Sequence, residues 1–189
     1  MFGLLTRRSL VTLLIIGGGA ATAAWSQGGG SWLHRPIQPG EVEVYFSPRG
    51  GCTGAVVGAI NAAKKSVYVQ AYSFTSAPIA KALVAAHRRG VKTEVILDKS
   101  QQTEKYSEAD FLLNGGVPVF IDSAHAIAHN KVMIIDGQTV ITGSFNFTKA
   151  AEEGNAENLL ILHQTPELAQ KYLSNWLAHQ RHSPAYRRR

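Results

Sequence analysis

We predict an α/β sandwich for this chain, with helices on both faces of a mixed, largely parallel sheet. Strand-like and helical segments alternate through the first part of the sequence, which is the pattern of a sheet with crossover helices. The chain has 189 residues, enough to bury the core of one domain. Its composition, 45% hydrophobic and 17% charged residues, is typical of a globular protein and excludes a disordered one.

The first half of the body alternates strands and helices. The predicted strands alternate polar and apolar residues or are rich in β-branched residues, and the predicted helices have apolar residues three or four positions apart. Glycines follow the second and third helices, where a left-handed residue ends a helix. In chain order we predict a strand at 41–46, a helix at 55–65, a strand at 66–72, a helix at 77–89, a strand at 92–97, a short helix at 108–113 and a strand at 117–121.

The second half of the body has a different order, because two strands follow each other without a helix between them. Residues 131–135 and 139–142 flank Asp136-Gly137, a dipeptide that favours a hairpin turn. A last strand is predicted at 159–162, and Pro166 begins a helix that extends to about Gln180.

The N-terminus has the features of an export signal. Arg7 and Arg8 precede a short apolar core, and Ala21-Thr22-Ala23 offers a cleavage site for signal peptidase. The apolar core is too short for a typical spanning helix, although an uncleaved anchor is the alternative. We therefore expect a periplasmic or secreted protein with no stable membrane span in the mature chain. The predicted organisation is a signal peptide at 1–23, a linker at 24–40, a catalytic domain at 41–182 and a basic C-terminal tail at 183–189.

The net charge indicates which ligands the protein attracts, and the cysteine count excludes some kinds of site. A net charge of +6 raises the local concentration of polyanions such as nucleic acid and anionic lipid. Cys52 is the only cysteine, which excludes an internal disulfide and a site with several cysteine ligands. We expect a buried or half-buried thiol there.

One short stretch carries most of the chemistry. His129 and Lys131 stand two residues apart at the start of a predicted strand, so their side chains share a face and lie about 7 Å apart. A phosphate group bridges such a gap, with one oxygen on the ammonium group and phosphorus in front of the imidazole. Ser144 and Asn146 follow the neighbouring strand and can donate hydrogen bonds to the nonbridging oxygens. The pattern indicates phosphodiester chemistry with histidine as nucleophile or as general acid and base.

Asp136 belongs to the same stretch, and we group it with the catalytic residues. Strand parity places its side chain on the face opposite His129, at the start of the hairpin turn. We therefore expect it to support the site without touching the substrate. The alternative is a turn aspartate that binds local backbone amides.

These residues resemble the HKD motif of the phospholipase D superfamily: His129-x-Lys131-x4-Asp136, then Gly143-Ser144-x-Asn146. The resemblance is closest to the small, single-motif, secreted bacterial endonucleases of the Nuc type. It covers about residues 41–163 and includes Phe46-Ser47-Pro48, Tyr72-Ser73-Phe74-Thr75 and Asn155-Ala156-Glu157-Asn158. It implies a phospholipase D-like α/β/α sandwich with one motif per chain.

The resemblance also implies a mechanism. One histidine attacks phosphorus and forms a phosphohistidine, while a second protonates the leaving oxygen and then activates water. Lys131, Ser144 and Asn146 would bind the phosphate, and Glu157 would orient the imidazole of His129. No metal and no cofactor are implied, and the sequence offers no convincing cluster of metal ligands.

The two-step reaction requires two histidines, and the motif supplies one per chain. His125 lies in a loop without a lysine partner, and the other histidines are predicted at the surface or at helix ends. A two-fold homodimer, in which each chain contributes its His129 to a shared site, supplies the second imidazole.

Three functions remain open at this point. The first is a sequence-nonspecific endonuclease that cleaves DNA, with RNA as a further candidate substrate, in which contacts are mostly to phosphates. The second is a phospholipase D that hydrolyses phosphatidyl head groups with the same chemistry, although the sequence has no obvious long apolar loop for membrane contact. The third is a catalytically inactive polyanion-binding module, which the intact motif disfavours.

Overall fold

The computed structural model describes residues 40–188. The predicted signal peptide and nearly all of the predicted linker lie outside these residues. Within residues 40–188, no helix has both the length and the apolar character that crossing a bilayer requires.

Seven strands form one mixed sheet. They are β1 (Val42–Phe46), β2 (Ser66–Ala71), β3 (Lys92–Asp98), β4 (Val119–Asp122), β5 (Lys131–Ile135), β6 (Thr139–Gly143) and β7 (Asn158–Leu162). Their order across the sheet is β1-β7-β6-β5-β2-β3-β4. Residues 40–188 also form five α-helices: α1 (Cys52–Ala62), α2 (Ala77–Arg88), α3 (Ala109–Asn114), α4 (Lys149–Glu153) and α5 (Pro166–His182).

The α/β class and the mixed sheet are confirmed. The expectation of a largely parallel sheet is wrong, because most neighbouring strands pair antiparallel. β2 pairs parallel with β3, and β3 with β4, because α2 and α3 return the chain to the same edge. The other neighbouring strands pair antiparallel. Residues 136–138 form the turn between β5 and β6, and residues 144–157 connect β6 to its neighbour β7, so these strands run in alternating directions.

The hairpin turn lies at Asp136-Gly137, as predicted. Both residues have positive φ, 55° and 67°. A type I′ turn requires positive φ at its two central residues, and its twist matches that of the flanking strands. Asparagine, aspartate and glycine tolerate this conformation best, which explains the dipeptide.

Helices cover both faces of the sheet. On one face, α1 and α2 bury Val56, Ile60 and Leu83 against sheet residues such as Val69 and Met133. On the other face, α5 buries Ala169 and Trp176 against Ile96, Val132 and Ile134. The indole Nε1 of Trp176 donates a hydrogen bond to the carbonyl of Val69, which satisfies the one polar atom of this buried ring.

The element boundaries agree closely with the sequence pattern, and two short helical segments were not predicted. These are α4 and a 3₁₀ helix at Lys99–Gln102. Cys52 begins α1 and is fully buried. Burial raises the pKa of its thiol to about 11, and the charge of Glu152 adds to this effect. The thiol is therefore protonated and inert at neutral pH.

The segment after α5 extends the sheet. The carbonyl of Pro184 accepts a hydrogen bond from the Ile121 amide, and the Tyr186 amide donates to the Val119 carbonyl. The side chain of Tyr186 donates to Asp110 on α3. The predicted basic tail thus covers the β4 edge of the sheet, where an unpaired strand would otherwise offer its backbone groups.

Candidate active site

Three strand ends meet at one edge of the sheet and bring the predicted phosphate-binding residues together. Lys131 is the first residue of β5, Gly143 is the last of β6, and Asn158 is the first of β7. Because β5 and β7 run antiparallel to β6, these ends are neighbours. They enclose an open pocket of about 480 Å³ lined by His129, Lys131, Gly143, Ser144, Asn146 and Glu157.

Lys131 is the buried cation of the pocket. Only 7% of the residue is exposed, and its Nζ donates a hydrogen bond of 2.8 Å to the carbonyl of His129. Nζ also lies 5.2 Å from the centre of the Tyr72 ring. Burial lowers the pKa of Lys131, while the negative charge of Glu157 acts in the opposite direction. A desolvated ammonium group held in place by a carbonyl and an aromatic ring is well suited to bind an anion.

His129 is exposed to solvent at the pocket. Its ring lies against Tyr72, with the ring centres 4.7 Å apart and the planes at 50°. Tyr72 therefore contacts both His129 and Lys131. Tyr72 belongs to the resemblance but has no predicted role, because no sequence spacing links a tyrosine at a strand end to a residue 57 positions later.

Ser144 is held by the start of β7. Its Oγ accepts hydrogen bonds from the backbone amide and the side-chain amide of Asn158, at 3.1 and 3.3 Å. Gly143 permits this approach, because a Cβ there would lie 2.3 Å from the Asn158 carbonyl oxygen. Its φ of 147° also favours glycine. With two hydrogen bonds accepted, the Ser144 hydroxyl retains its proton for a phosphate oxygen.

Asn146 lies on the wall of the pocket. Its Oδ1 is buried without a hydrogen-bond partner among the described residues. The flanking Phe145 and Phe147 are fully buried, as predicted, and they fix the backbone of this segment. An amide oxygen accepts hydrogen bonds, so a nonbridging phosphate oxygen could be held only by the Nδ2 group of this side chain.

Glu157 lines the same pocket, on a segment that Ser47 holds. The Ser47 hydroxyl donates to the Asn155 carbonyl and accepts from the Glu157 amide, at 2.9 and 3.1 Å. The Glu157 carboxylate accepts a hydrogen bond of 3.1 Å from the Asn155 side chain. Within residues 40–188 no hydrogen bond joins Glu157 to the His129 ring, so its orienting role stays a prediction.

Asp136 is not among the residues that line the pocket, which agrees with the expectation that it does not touch the substrate. Its grouping with the catalytic residues stays a prediction. Asp136 follows the last residue of β5, at the end of that strand opposite to His129. Its carboxylate accepts hydrogen bonds from the backbone amides of Lys64, Lys65 and Ser66, at 2.9, 2.7 and 2.9 Å. Asp136 therefore binds backbone amides, as the alternative predicted. These amides lie at the junction of α1 and β2, and not in the turn that contains Asp136.

A second cluster of polar side chains was not anticipated. Asp122, His125, His179 and His182 place one ligand atom each within 4.8 Å of one another. The expectation that the sequence holds no cluster of metal ligands is therefore wrong. Among the residues that line the phosphate pocket, none belongs to this cluster.

The pocket combines an exposed imidazole, a buried cation and neutral hydrogen-bond donors. This set can hold the nonbridging oxygens of a phosphodiester while an imidazole attacks phosphorus. The chemistry corresponds to what the comparisons with known proteins show. A family model described as "Cardiolipin synthase, PLD-like domain" matches residues 56–179. Phospholipase D of Rickettsia conorii is 47% identical over 137 residues, which are 72% of this chain and 68% of that protein.

The chain belongs to the phospholipase D superfamily.

Solved structures of this superfamily agree with the assignment. Nuc from Salmonella typhimurium, a phospholipase D family member, is 43% identical and superposes with a TM-score of 0.75, covering 78% of this chain and 98% of Nuc. NucT from Helicobacter pylori is 26% identical, with a TM-score of 0.71 over 77% of this chain and 99% of NucT. The predicted phospholipase D superfamily fold and the closeness to the Nuc type are confirmed.

Proposed function

We propose that this phospholipase D superfamily member is an exported, metal-independent phosphodiesterase that cleaves DNA without sequence preference, with RNA as a further candidate substrate. The reaction passes through a phosphohistidine on His129, at a site shared by two copies of the chain. The observation that carries the proposal is the pocket that gathers His129, Lys131, Ser144, Asn146 and Glu157 at one sheet edge.

The first step transfers the phosphoryl group to the protein. A ring nitrogen of His129 attacks phosphorus, a P–N bond forms, and the bond from phosphorus to one ester oxygen breaks. The imidazolium of His129 from the second copy gives its proton to the leaving oxygen. Lys131, Ser144 and Asn146 hold the nonbridging oxygens, whose charge increases in the transition state.

The second step releases the product. The imidazole of the second copy, now neutral, takes a proton from water, the resulting hydroxide attacks phosphorus, and the P–N bond breaks. Both histidines return to their starting protonation states. Lys131 supplies the fixed positive charge at the phosphate, and this is the support for chemistry without a metal ion.

The shared site follows from the position of His129. Among residues 40–188 one histidine lines the pocket, which is open to solvent, so we assign the second imidazole to another copy of the chain. A two-fold axis through the pocket places the same residue on both sides of phosphorus.

An exposed apolar stripe on β1 supports the dimer. Val42, Val44 and Phe46 are 47%, 50% and 62% exposed, and they alternate along a strand at the edge of the sheet. Phe46 pairs with Asn158, the residue after Glu157, so this β1 stripe ends beside the pocket. Because the mechanism brings a second copy of the chain to the pocket, we assign the β1 stripe to the interface with that copy.

Nucleic acid fits the charge of the protein and the likeness to Nuc and NucT. The net charge of +6 favours a polyanion. Phospholipid is the second candidate substrate, because the relative from Rickettsia conorii bears the name phospholipase D. The two candidates share every step at phosphorus and differ only in what surrounds the phosphodiester.

A parallel assay separates the two substrates. Purified protein with an excess of EDTA is offered supercoiled plasmid DNA and, separately, phosphatidylcholine vesicles. We expect nicking of the plasmid in EDTA, loss of nicking in His129→Ala, and normal nicking in His87→Ala, a histidine on α2 away from the pocket. Release of choline without nicking would replace the nuclease with a phospholipase, and nicking that survives in His129→Ala would reject the mechanism.

A further inference from the structure

The loop between β4 and β5 begins at a cluster of three imidazoles around a buried carboxylate. Asp122, the last residue of β4, has a side chain with 0% exposure. His125 Nδ1 lies 3.0 Å and His179 Nδ1 lies 2.7 Å from its oxygens, and His182 Nε2 lies 3.6 Å away. His179 and His182 come from the last turn of α5, on the opposite side of this contact.

The arrangement has the dimensions of a metal site. In a tetrahedral zinc site with bonds of about 2.0–2.2 Å, neighbouring ligand atoms lie about 3.3 Å apart. His125 Nδ1 and His182 Nε2 lie 3.0 and 3.6 Å from Asp122 Oδ1, on both sides of that value, and His179 Nδ1 lies 2.7 Å from Oδ2. The four ligand atoms lie within 4.8 Å of one another, so metal binding would draw them closer together. The three rings are also close to one another, with centres 4.8 to 5.3 Å apart.

The sequence spacing supports the same conclusion. Asp122-x-x-His125 and His179-x-x-His182 are two pairs, each with two residues between the ligands. Paired ligands from two separate elements are the usual construction of structural zinc sites. His125 and His179 lie within hydrogen-bond distance of Asp122, and His182, at 3.6 Å, lies within ion-pair distance, so all three imidazoles converge on one carboxylate.

We propose that Asp122, His125, His179 and His182 bind one divalent transition-metal ion, for which Zn²⁺ is the best match. Three imidazole nitrogens and one carboxylate oxygen suit zinc, whereas Ca²⁺ and Mg²⁺ require oxygen ligands. Four protein ligands fill a tetrahedral shell, so the ion has a structural role and no open position for substrate.

The ion would fix the loop that carries His129. Residues 123–130 connect β4 to β5 along the same sheet edge as the pocket. Asp98 accepts a hydrogen bond of 2.7 Å from the Ala128 amide, and Lys99 donates one of 2.9 Å to the His125 carbonyl. Metal bound at the start of this loop would join it to α5 as well, and so restrict the position of the nucleophile.

The test measures metal binding to the full, untagged chain after removal of metal with a chelator. Zn²⁺ and, in a second titration, Co²⁺ are added to wild type, His182→Gln and the control His87→Gln. We expect one ion per chain, the intense visible spectrum of tetrahedral Co²⁺, and a higher Tm with Zn²⁺. In His182→Gln, whose side chain is exposed at the end of α5, we expect affinity at least about 100-fold weaker and a smaller shift in Tm.

The same titration is done on His129→Ala, which distinguishes this site from metal bound in the phosphate pocket. Unchanged binding in that variant supports the proposal, and lost binding overturns it. Equal affinities of wild type and His182→Gln, or a pale octahedral Co²⁺ spectrum, also overturn it. Because the readouts are binding and Tm, the result is independent of whether the protein cleaves DNA.

Discussion

Lys131 keeps a positive charge in a place where burial opposes it. The residue is almost fully buried, and desolvation lowers its pKa. Its two contacts in the described structure, the His129 carbonyl and the Tyr72 ring, do not neutralise the charge. Functional sites often contain such unfavourable groups, because the favourable partner is the substrate. In the proposed function, this partner of Lys131 is the phosphate group of the substrate.

Replacing Lys131 with Met is therefore expected to separate activity from stability. Loss of the cation at the phosphate should lower kcat/KM by about 100-fold or more. The pKa of Lys131 is lower in the folded protein than in the unfolded chain. Between these two values the unfolded chain binds more protons, so the stability of wild type relative to Lys131→Met rises as the pH increases through that window. Urea unfolding at pH 7 and at pH 10 measures this difference.

Lys81→Met, at an exposed position on α2, is the matched control and should change neither quantity. A wild type that loses stability relative to Lys131→Met over the same pH range would contradict the assignment of a buried charge.

At the scale of elements, the two ends of β5 have different roles. The start of β5 carries His129 and Lys131 into the pocket, and the far end carries Asp136. Asp136 accepts hydrogen bonds from three consecutive backbone amides, the last of which belongs to Ser66, the first residue of β2. This contact fixes β5 against β2, its neighbour in the sheet. The aspartate of the motif thus stabilises the strand on which the pocket depends.

Asp136→Ala is expected to lower the free energy of unfolding by about 2 kcal/mol, because three amides lose a charged acceptor. Positive φ at this position adds strain for alanine. Asp136→Asn keeps an acceptor and tolerates the conformation, so its loss should be smaller. Urea unfolding measures both, and nicking assays well below the Tm should give kcat close to that of wild type. A loss of kcat comparable with that of His129→Ala would mean that Asp136 takes part in catalysis.

Local signals explain what the sequence predicted well. The hairpin, the strand bounds and the shared face of His129 and Lys131 all depend on residues close together in the chain. The partners of Asp136 lie about 70 positions earlier, and no local pattern connects them. The same limit applies to the cluster of Asp122 with His179, which are 57 positions apart. The strand order, and with it the number of antiparallel pairs, also depends on contacts between distant segments.

At the scale of the whole molecule, the proposed site is complete only in a dimer. The β1 stripe (Val42, Val44 and Phe46) offers an apolar surface at the sheet edge next to the pocket. An interface of this kind would exclude water around the phosphate and bring the second imidazole into place.

Phe46→Asp is expected to dissociate the dimer and to abolish nicking together, because a charge would be buried at the interface. Analytical ultracentrifugation gives the mass, and the plasmid assay gives the activity. Phe111→Asp is the matched control, since Phe111 is also an exposed phenylalanine but lies on α3. It should remain an active dimer. A Phe46→Asp protein that is monomeric and fully active would exclude the shared site.

Mixed dimers test most directly whether two copies of His129 act together without a metal ion. Wild type and His129→Ala are combined in equal amounts, their subunits are exchanged, and nicking is measured in EDTA. If each site needs both imidazoles, only about a quarter of the dimers are active, and the mixture should show about a quarter of the activity of the same total amount of wild type. About half of that activity would mean that each chain works alone. Activity that is lost in EDTA and restored by Mg²⁺, which does not suit the site of three imidazoles, would mean that a metal ion takes part at phosphorus. Either result would contradict the proposed mechanism.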